Sequence, residues 1–300
     1  MKTSPLRTAQ PSGSSTSAAI DMRGARVGYE HRIVCADVTC SIPRGEFTAI
    51  IGPNACGKST LLRAIARILP YEAGNILLEG QEIASIPTKQ LATRLGLLPQ
   101  SSLSPDGIRV ADLVARGRYP HQSMFGRWSE EDERVVREAL AATGTSELSG
   151  RLVDELSGGQ RQRVWVAMVL AQQTPVLLLD EPTTFLDITH QYGVLELCET
   201  LRRELDRTIV AVLHDLNQAA RYASHLIVMK DGGVVAAGPP SEVFTAELIT
   251  EVYELPCRIV TDPETGTPLV IPRAELLRAP RPRGRDIEPQ NNEGAARGIL

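Results

Sequence analysis

The sequence lacks several features that mark whole classes of protein. Its five cysteines are scattered without C-x-x-C spacing, which suits reduced thiols in a cytosol better than a disulfide framework or a zinc site. No apolar run approaches the ~20 residues that a helix needs to cross a bilayer. The net charge of −4 provides no basic field for nucleic acid or an anionic membrane surface. Composition alone therefore indicates an ordinary soluble globular chain.

Both ends of the chain have the composition of tails. Residues 1–18 contain no apolar segment of the kind found in a signal peptide, so we expect a disordered leader. Residues 273–300 are rich in Arg, Pro, Gly and Asn, and we expect little fixed structure there. The remaining residues, 19–272, contain no internal repeat and are numerous enough to bury a full core.

A polar segment, GPNACGKST, lies between two apolar ones. The apolar run at residues 46–51 predicts a buried strand, and one-sided apolar spacing predicts a helix that ends before Pro70. A glycine-rich turn into a helix presents unpaired backbone N–H groups to phosphate. The spacing G-x-x-x-x-G-K-[ST] adds a lysine for the phosphate oxygens and a hydroxyl for Mg²⁺, which a merely connecting turn would not need. The predicted phosphate-binding residues are Gly52, Pro53, Asn54, Ala55, Cys56, Gly57, Lys58, Ser59 and Thr60.

The apolar pattern around this turn predicts an α/β fold with a helical arm. Apolar residues at every even position of 34–42 predict a half-buried strand, and residues 75–79 predict another. Residues 88–171 are mostly helical in pattern, with a capped helix that opens at Ser129. Residues 226–238 predict a hairpin on an Asp-Gly turn.

Two continuous apolar runs, at 176–179 and 209–213, are typical of parallel strands that are covered on both faces. The first delivers Asp180 to its C-terminal end, where ligands of open α/β sheets bind. We expect Asp180 to hold Mg²⁺ and Glu181 to polarise the attacking water. Taken alone, an Asp-Glu pair at a strand end fits a solvated turn equally well, and the phosphate turn favours the functional interpretation.

The segment LSGGQ predicts a second helix start that can receive an anion. Ser157 and Gln160 have the S-x-x-Q spacing of a capping box, which explains both residues structurally. Gly158 and Gly159, however, each weaken the first helical turn by roughly 1 kcal/mol relative to alanine. Their presence is explained if a phosphate approaches this helix start as well.

Together these motifs resemble those of the ATP-binding subunit of an ABC transporter. GPNACGKS is similar to that family's Walker A motif, LSGGQ to its signature, and VLLLDEP to its Walker B motif with the following glutamate. TFLD, residues 184–187, resembles the D-loop. Gln100, His214 and Tyr29 resemble the Q-loop glutamine, the switch histidine and the aromatic residue that stacks on adenine. The likeness covers about residues 20–272, with every motif in order.

Three of these residues have ordinary structural interpretations when they are taken singly. Tyr29 fits a surface aromatic, Gln100 fits a polar group at a strand end, and His214 fits a cap of the next helix. Their order and spacing within the resemblance favour the functional roles. The other histidines show no metal-ligand spacing, and no role is assigned to them.

The resemblance implies a P-loop NTPase fold: a RecA-like core, an antiparallel β subdomain and a helical subdomain at about residues 88–171. It implies ATP as the nucleotide and Mg²⁺ as the metal, with Ser59, Gln100 and Asp180 as metal ligands. The implied catalytic residues are Lys58, Gln100, Glu181 and His214. The implied nucleotide contacts, besides the phosphate turn, are Tyr29, Ser157, Gly158, Gly159, Gln160 and Asp187.

The resemblance also implies partners. Two copies pair head to tail, so that Ser157 and Gly159 of one copy complete the ATP site of the other. The helical arm passes the motion to a separate membrane permease, which works with an extracytoplasmic substrate-binding protein. The chain is then expected at the cytoplasmic face of the inner membrane, with no nucleic acid partner.

The cargo is suggested by longer segments. ARGRYPHQSMFGRWSEEDE and HDLNQAARYASHLIVMKDGGVVAAG resemble the ATPases of ferric-siderophore importers, with cobalamin and haem importers as the nearest relatives. A chromosome or DNA-repair ATPase of this superfamily would need a long coiled coil before LSGGQ, and the interval is too short and lacks heptads. A scaffold that binds nucleotide without hydrolysis would be expected to lack Glu181 or His214, and both are present.

Two residues of the phosphate turn carry expectations of their own. Ala55 stands where the family usually has glycine, and we expect alanine to be tolerated there if its φ is negative. If the turn needs a positive φ at this position, we expect the affinity for ATP to be lower. Cys56 lies next to a helix N-terminus, which should favour its thiolate. We therefore expect thiol alkylation to inhibit the ATPase and bound ATP to protect it.

Overall fold

The computed structural model describes residues 18–29, 32–100, 104–122 and 127–274. The predicted leader at 1–18 and the predicted tail at 273–300 lie outside these ranges, apart from their inner ends. Among the described helices, none combines the length and the apolar character of a membrane span.

Strands and helices alternate along most of the described chain. The strands are β1 (Ala18–Tyr29), β2 (Arg32–Pro43), β3 (Phe47–Ile51), β4 (Tyr71–Leu78), β5 (Gln81–Glu82), β6 (Leu95–Leu98), β7 (Val176–Asp180), β8 (Thr208–Val212), β9 (His225–Lys230), β10 (Gly233–Gly238), β11 (Cys257–Thr261) and β12 (Pro268–Pro272). The helices are α1 (Lys58–Ile65), α2 (Thr88–Arg94), α3 (Val110–Ala115), α4 (Glu130–Ala142), α5 (Gly158–Ala171), α6 (Ile188–Leu205), α7 (Leu216–Tyr222), α8 (Pro240–Val243) and α9 (Ala246–Tyr253).

A six-stranded sheet in the order β10-β9-β3-β8-β7-β6 forms the centre of the molecule. Its strands are parallel except β10, which pairs antiparallel with β9. All residues of β3, β7 and β8 are buried, as expected for parallel strands covered on both faces. Ala49 and Ile51 pack into one hydrophobic core, whereas Ile50 between them packs into the other, with Leu61 and Leu62 of α1. The predicted α/β fold is confirmed.

A second sheet, β2-β1-β4-β5, is antiparallel and lies against α1. The prediction that even positions of β2 face inward is right for Val38 and wrong for Ala36, which is exposed, while Cys35 is buried. The register explains this, because Ala25 pairs with Val38 but Val27 pairs with Cys35. The extra residue in β2 is a bulge, and a bulge moves later side chains to the opposite face.

Helices α3, α4 and α5 pack against one another and form the predicted helical arm. Helix α4 begins after Ser129, whose capping box with Asp132 is confirmed. The prediction of a mostly helical stretch from residue 88 misses β6, which is an edge strand of the central sheet. A four-residue apolar run such as LGLL cannot be assigned to strand or helix by periodicity alone.

Other predicted elements differ from the structure mainly at their ends. Helix α1 ends at Ile65 rather than just before Pro70, because Arg67 adopts a positive φ of 55°. The β9–β10 hairpin is confirmed, with Asp231 and Gly232 at φ values of 49° and 80° in its turn. The antiparallel pair β11–β12 near the C-terminal end of the described chain was not predicted.

Candidate nucleotide-binding site

A cleft of about 590 Å³ opens at the C-terminal edge of the central sheet. This is the edge at which ligands of open α/β sheets bind. Ten of the residues predicted from the sequence line it: Tyr29, Asn54, Ala55, Gly57, Lys58, Ser59, Thr60, Gln100, Glu181 and His214. They come from the end of β1, the turn after β3, and the segments after β6, β7 and β8. The topology therefore gathers groups that are widely separated in sequence.

The turn between β3 and α1 folds around the ammonium group of Lys58. Lys58 Nζ donates to the carbonyl oxygens of Gly52 and Pro53, each at 2.8 Å, and the residue is only 5% exposed. A Cβ at Gly52 would lie 2.2 Å from the backbone oxygen of Met229, and one at Gly57 would lie 2.9 Å from Cys35 Sγ. Because both glycines also have positive φ, side chains at either position would disrupt the turn. The turn is a cradle with a fixed positive charge.

Ser59 lines the cleft and binds Asp180, which is buried behind it, and the two residues form the metal-type corner. Ser59 Oγ donates to Asp180 Oδ1 at 2.7 Å across 121 residues of sequence. Asp180 is 1% exposed, and its Oδ2 has no hydrogen-bond partner among the described residues. Burial raises the pKa of the Asp180 carboxyl, while the Ser59 hydrogen bond and the charges of Arg63 and Lys58 lower it. A hydroxyl and an unpaired buried carboxylate oxygen are donors that fit Mg²⁺.

Glu181 and His214 meet at the mouth of the cleft. His214 Nε2 lies 2.7 Å from Glu181 Oε1, and Thr184 Oγ1 donates to Glu181 Oε2 at 3.2 Å. Glu181 has a φ of 56°, a region that non-glycine residues adopt rarely and mostly where the site requires it. The carboxylate is therefore held at a fixed place by two side chains, beside the phosphate cradle.

The LSGGQ segment lies away from this cleft and is not among its lining residues. The predicted capping box is confirmed: Gln160 N donates to Ser157 Oγ at 3.3 Å, and Ser157 N donates to Gln160 Oε1 at 3.1 Å. Ser157 and Gly158 are exposed at the start of α5. Anion binding at this helix start stays a prediction.

Asp187 also lies outside the cleft and caps helix α6. Its Oδ1 accepts from the backbone N–H of His190 at 2.9 Å and contacts His190 Nδ1 at 2.7 Å. The His190 hydrogen bonds hold the pKa of the Asp187 carboxyl below its usual value. Its contact with nucleotide therefore stays a prediction as well.

The condition under which we expected alanine to be tolerated is not met, because the φ of Ala55 is positive at 63°. An L-residue in this left-handed conformation carries a strain of about 1–2 kcal/mol that glycine avoids. The turn therefore needs the conformation for which glycine is suited, and this chain tolerates alanine there at a cost.

The expectation that the helix N-terminus favours the thiolate of Cys56 is wrong. The residue is 6% exposed, and burial raises the pKa of its thiol even though the charge of Lys58 lowers it. The helix N-terminus favours a thiolate only where the sulfur is not desolvated. The thiol of Cys56 is neither exposed nor activated in this structure, so the reason for expecting it to react readily with alkylating reagents no longer holds.

Sequence reasoning missed three residues of the site. Arg32 and Val34 line the cleft, and Thr184 holds Glu181. Val34 was assigned to the buried face of its strand, and the bulge in β2 makes it available to the cleft. The signal for Thr184 was present, since a hydroxyl three residues after a carboxylate in a turn can reach back to it.

Comparisons with known proteins agree with this geometry. A family model described as ABC transporter matches residues 35–184. The ferric enterobactin transport ATP-binding protein of Escherichia coli (strain K12) is 54% identical over 259 residues, which are 86% of this chain and 96% of that protein. The cobalamin import ATP-binding protein of Halobacterium salinarum is 40% identical over 253 residues, 84% of this chain and 63% of that protein.

A solved structure supports the same assignment. The inward-facing conformation of a metal-chelate-type ABC transporter matches with a TM-score of 0.73 and 27% identity, over 87% of this chain and 99% of that chain. The resemblance drawn from the motifs is confirmed, and so is the P-loop NTPase fold that it implied. The chain thus belongs to the ABC transporter family, in which it is an ATP-binding ATPase subunit.

Proposed function

We propose that the chain hydrolyses Mg-ATP to drive the import of a ferric siderophore through a separate membrane permease. The observation that carries the chemistry is the cleft itself, where the Lys58 cradle, the Ser59–Asp180 corner and the Glu181–His214 pair converge. The observation that carries the cargo is the 54% identity to a ferric enterobactin transport protein, against 40% to a cobalamin import protein.

The residues of the cradle bind and orient the triphosphate. Lys58, which the carbonyl oxygens of Gly52 and Pro53 hold in the turn, provides positive charge for the outer phosphate oxygens, and the amides at the start of α1 face the inner ones. Tyr29 forms a wall for adenine at the other end of the cleft. The negative charge of the phosphates is thus met by groups that are already in place, which lowers the cost of reorganisation.

Ser59, Asp180 and Gln100 would hold Mg²⁺. When bound, the ion neutralises charge on the phosphates that develops during transfer. The unpaired Oδ2 of Asp180 and the hydroxyl of Ser59 are the donors already present, and Gln100 reaches the cleft from the segment after β6.

Glu181 orients the attacking water and accepts its proton. Its Oε1 is close to His214 Nε2 at 2.7 Å, so a proton at Glu181 has a neighbouring group to share it. His214 also places a donor next to the region where the γ-phosphate leaves. The hydrogen bond from Thr184 keeps the carboxylate from rotating away.

A second copy of the chain would complete the site. Ser157 and Gly159 lie at a helix start that does not line the cleft of its own chain, although such starts attract anions. Paired head to tail, one copy brings this helix start to the γ-phosphate held by the other. ATP then joins the two copies, and hydrolysis releases them.

The remaining partners follow from the proposed transport role. The helical arm, α3 to α5, would carry the motion to permease subunits, and a binding protein on the far side would deliver the siderophore. The chain would work at the cytoplasmic face of the inner membrane. The alternative cargo is cobalamin, which is named for the less similar of the two relatives, the cobalamin import ATP-binding protein at 40% identity.

The test is ATP-dependent uptake into proteoliposomes that contain the chain, its permease and its binding protein. We expect uptake of a labelled ferric siderophore that Glu181→Gln abolishes and that excess cobalamin does not inhibit. Uptake of cobalamin in preference to the ferric siderophore would overturn the cargo. Absence of phosphate release in the complete assembly would overturn the function itself.

A further inference from the structure

The ring of Tyr29 is a wall of the cleft with little packing to fix it. Tyr29 is the last residue of β1, and it is 42% exposed. Its hydroxyl accepts a hydrogen bond from Arg63 Nη1 at 3.1 Å. A half-exposed aromatic side chain can otherwise rotate about its χ angles, and rotation would remove the plane on which a base stacks.

Arg63 lies behind this wall and does not itself line the cleft. It sits on α1 four residues after Ser59, a spacing that places the two side chains on one face of the helix. Ser59 holds Asp180, and Arg63 holds Tyr29. One face of α1 therefore connects the metal end of the cleft with its base end.

The charge of Arg63 also influences Asp180, since it lowers the pKa of that carboxyl against the effect of burial. Asp180 is therefore a second neighbour of Arg63. A competing explanation of Arg63 is that its charge only balances the buried carboxylate of Asp180. The two explanations differ in one respect. Charge balance at Asp180 does not depend on the hydroxyl of Tyr29, whereas positioning of the Tyr29 ring by a hydrogen bond requires that hydroxyl.

We propose that Arg63 is a positioning residue for nucleotide recognition, which fixes the Tyr29 ring in the plane against which adenine stacks. This inference rests on the proposed function, because it presupposes that the cleft binds ATP. It assigns base recognition to a pair of residues, of which one contacts the base and the other contacts only its partner.

The test is a double-mutant cycle on equilibrium binding of Mg-ATP to the full chain, measured by calorimetry. Tyr29→Phe keeps the ring and removes only the hydroxyl, and we expect it to weaken ATP about fivefold, the usual effect of one hydrogen bond. In an Arg63→Met background the same Tyr29→Phe change should have no further effect, because the donor is already absent. Should Arg63→Met fail to fold, Arg63→Ala provides the same background.

Inorganic triphosphate separates base recognition from damage to the phosphate cradle. It has no base, so Tyr29→Phe should leave its affinity unchanged, whereas a distorted cradle would weaken triphosphate and ATP together. Arg134→Met, on the exposed face of α4 where Arg134 pairs with Glu131 and Glu138, is the matched control and should change neither affinity.

Two results would overturn the inference. One is an equal loss from Tyr29→Phe in the parent and in the Arg63→Met background, which would mean that the two residues act independently. The other is undiminished ATP affinity in Tyr29→Phe. Both are distinguishable from failure of the proposed function, in which the parent chain itself would not bind ATP.

Discussion

The cleft at the sheet edge and the exposed start of α5 both carry groups suited to phosphate, yet they differ in what holds them. In the cleft, side chains from separate segments bind one another: Lys58 binds its own loop, Ser59 binds Asp180, and His214 contacts Glu181. At the start of α5, the side chains of Ser157 and Gln160 each accept from the other residue's backbone N–H, so the contacts that form the cap stay within one helical turn.

The two regions are both predicted to bind phosphate, and this difference separates them by how they are organised. The cleft is organised by tertiary contacts, so it is in place before a ligand arrives. The start of α5 is organised by a capping box, which uses the amides of Ser157 and Gln160 and leaves those of Gly158 and Gly159 for a ligand brought by another molecule. A chain that carries one site of each kind is suited to pairing with a second copy.

The largest effect is expected from Glu181→Gln, which breaks the chemistry of the cleft without changing its shape. Loss of the base should lower ATP hydrolysis by about 10²–10⁴-fold and leave ATP binding within about twofold. Phosphate release and calorimetry check the two halves of this prediction. Glu204→Gln, at an exposed position of α6, is the control; normal hydrolysis in Glu181→Gln would refute the role of Glu181.

The second prediction tests whether the two regions act across copies. Lys58→Ala destroys the cleft and Ser157→Arg destroys the helix start, so each variant alone should lose at least about 100-fold in hydrolysis. In an equal mixture half of the dimers are mixed, and each has one intact site, so about a quarter of the parent activity should return. A mixture as inactive as its components would contradict completion of the site by a second copy.

The third prediction concerns the folding stability that is lost by burying the charged carboxyl of Asp180 beside the cleft. A carboxyl whose pKa is raised in the folded state loses stability as the pH rises from its ordinary value of 3.8 through the folded value. Asp180→Asn should therefore raise the Tm of the nucleotide-free chain by about 2–4 °C near pH 7, and the gain should vanish below about pH 4. Thermal denaturation at both pH values checks this, with the exposed Asp37→Asn as control. An equal gain at both pH values would show that charge is not the cause.

The smallest effect is expected at Ala55. Ala55→Gly relieves the positive φ, but it also gives the unfolded chain more freedom, so the net gain should be below about 1 kcal/mol, or about 1–3 °C in Tm. Ala55→Ser keeps the strain and should give no gain. Thermal denaturation of both variants is the measurement, and a gain in Ala55→Ser equal to that of glycine would contradict the explanation by strain.

The sequence predicted features that depend on neighbours in the chain. The capping boxes at Ser129 and Ser157 and the Asp-Gly hairpin turn are confirmed, since each is set by the spacing of a few residues. Features that depend on more distant segments were missed. The bulge that turns Cys35 inward requires β1 as a partner, and β6 is a strand because β7 lies beside it.

Cys56 illustrates the limit most clearly. Its position beside a helix N-terminus is visible in the sequence and predicts an activated thiol. Its burial is not visible there, and burial raises the pKa of the thiol in the folded chain. The helix N-terminus favours the thiolate, as the sequence indicates. Desolvation of the sulfur, which depends on the whole fold, outweighs this effect.

The phosphate turn, the capped helix starts and the apolar strands are visible in the order of residues, because backbone conformation and capping respond to residues within about one helical turn. The contact of Ser59 with Asp180, the contact of Glu181 with His214 and the positive φ of Ala55 become visible only in the folded chain. The order in which parallel strands pair brings distant segments to one edge, and that order is set by burial of both sheet faces together.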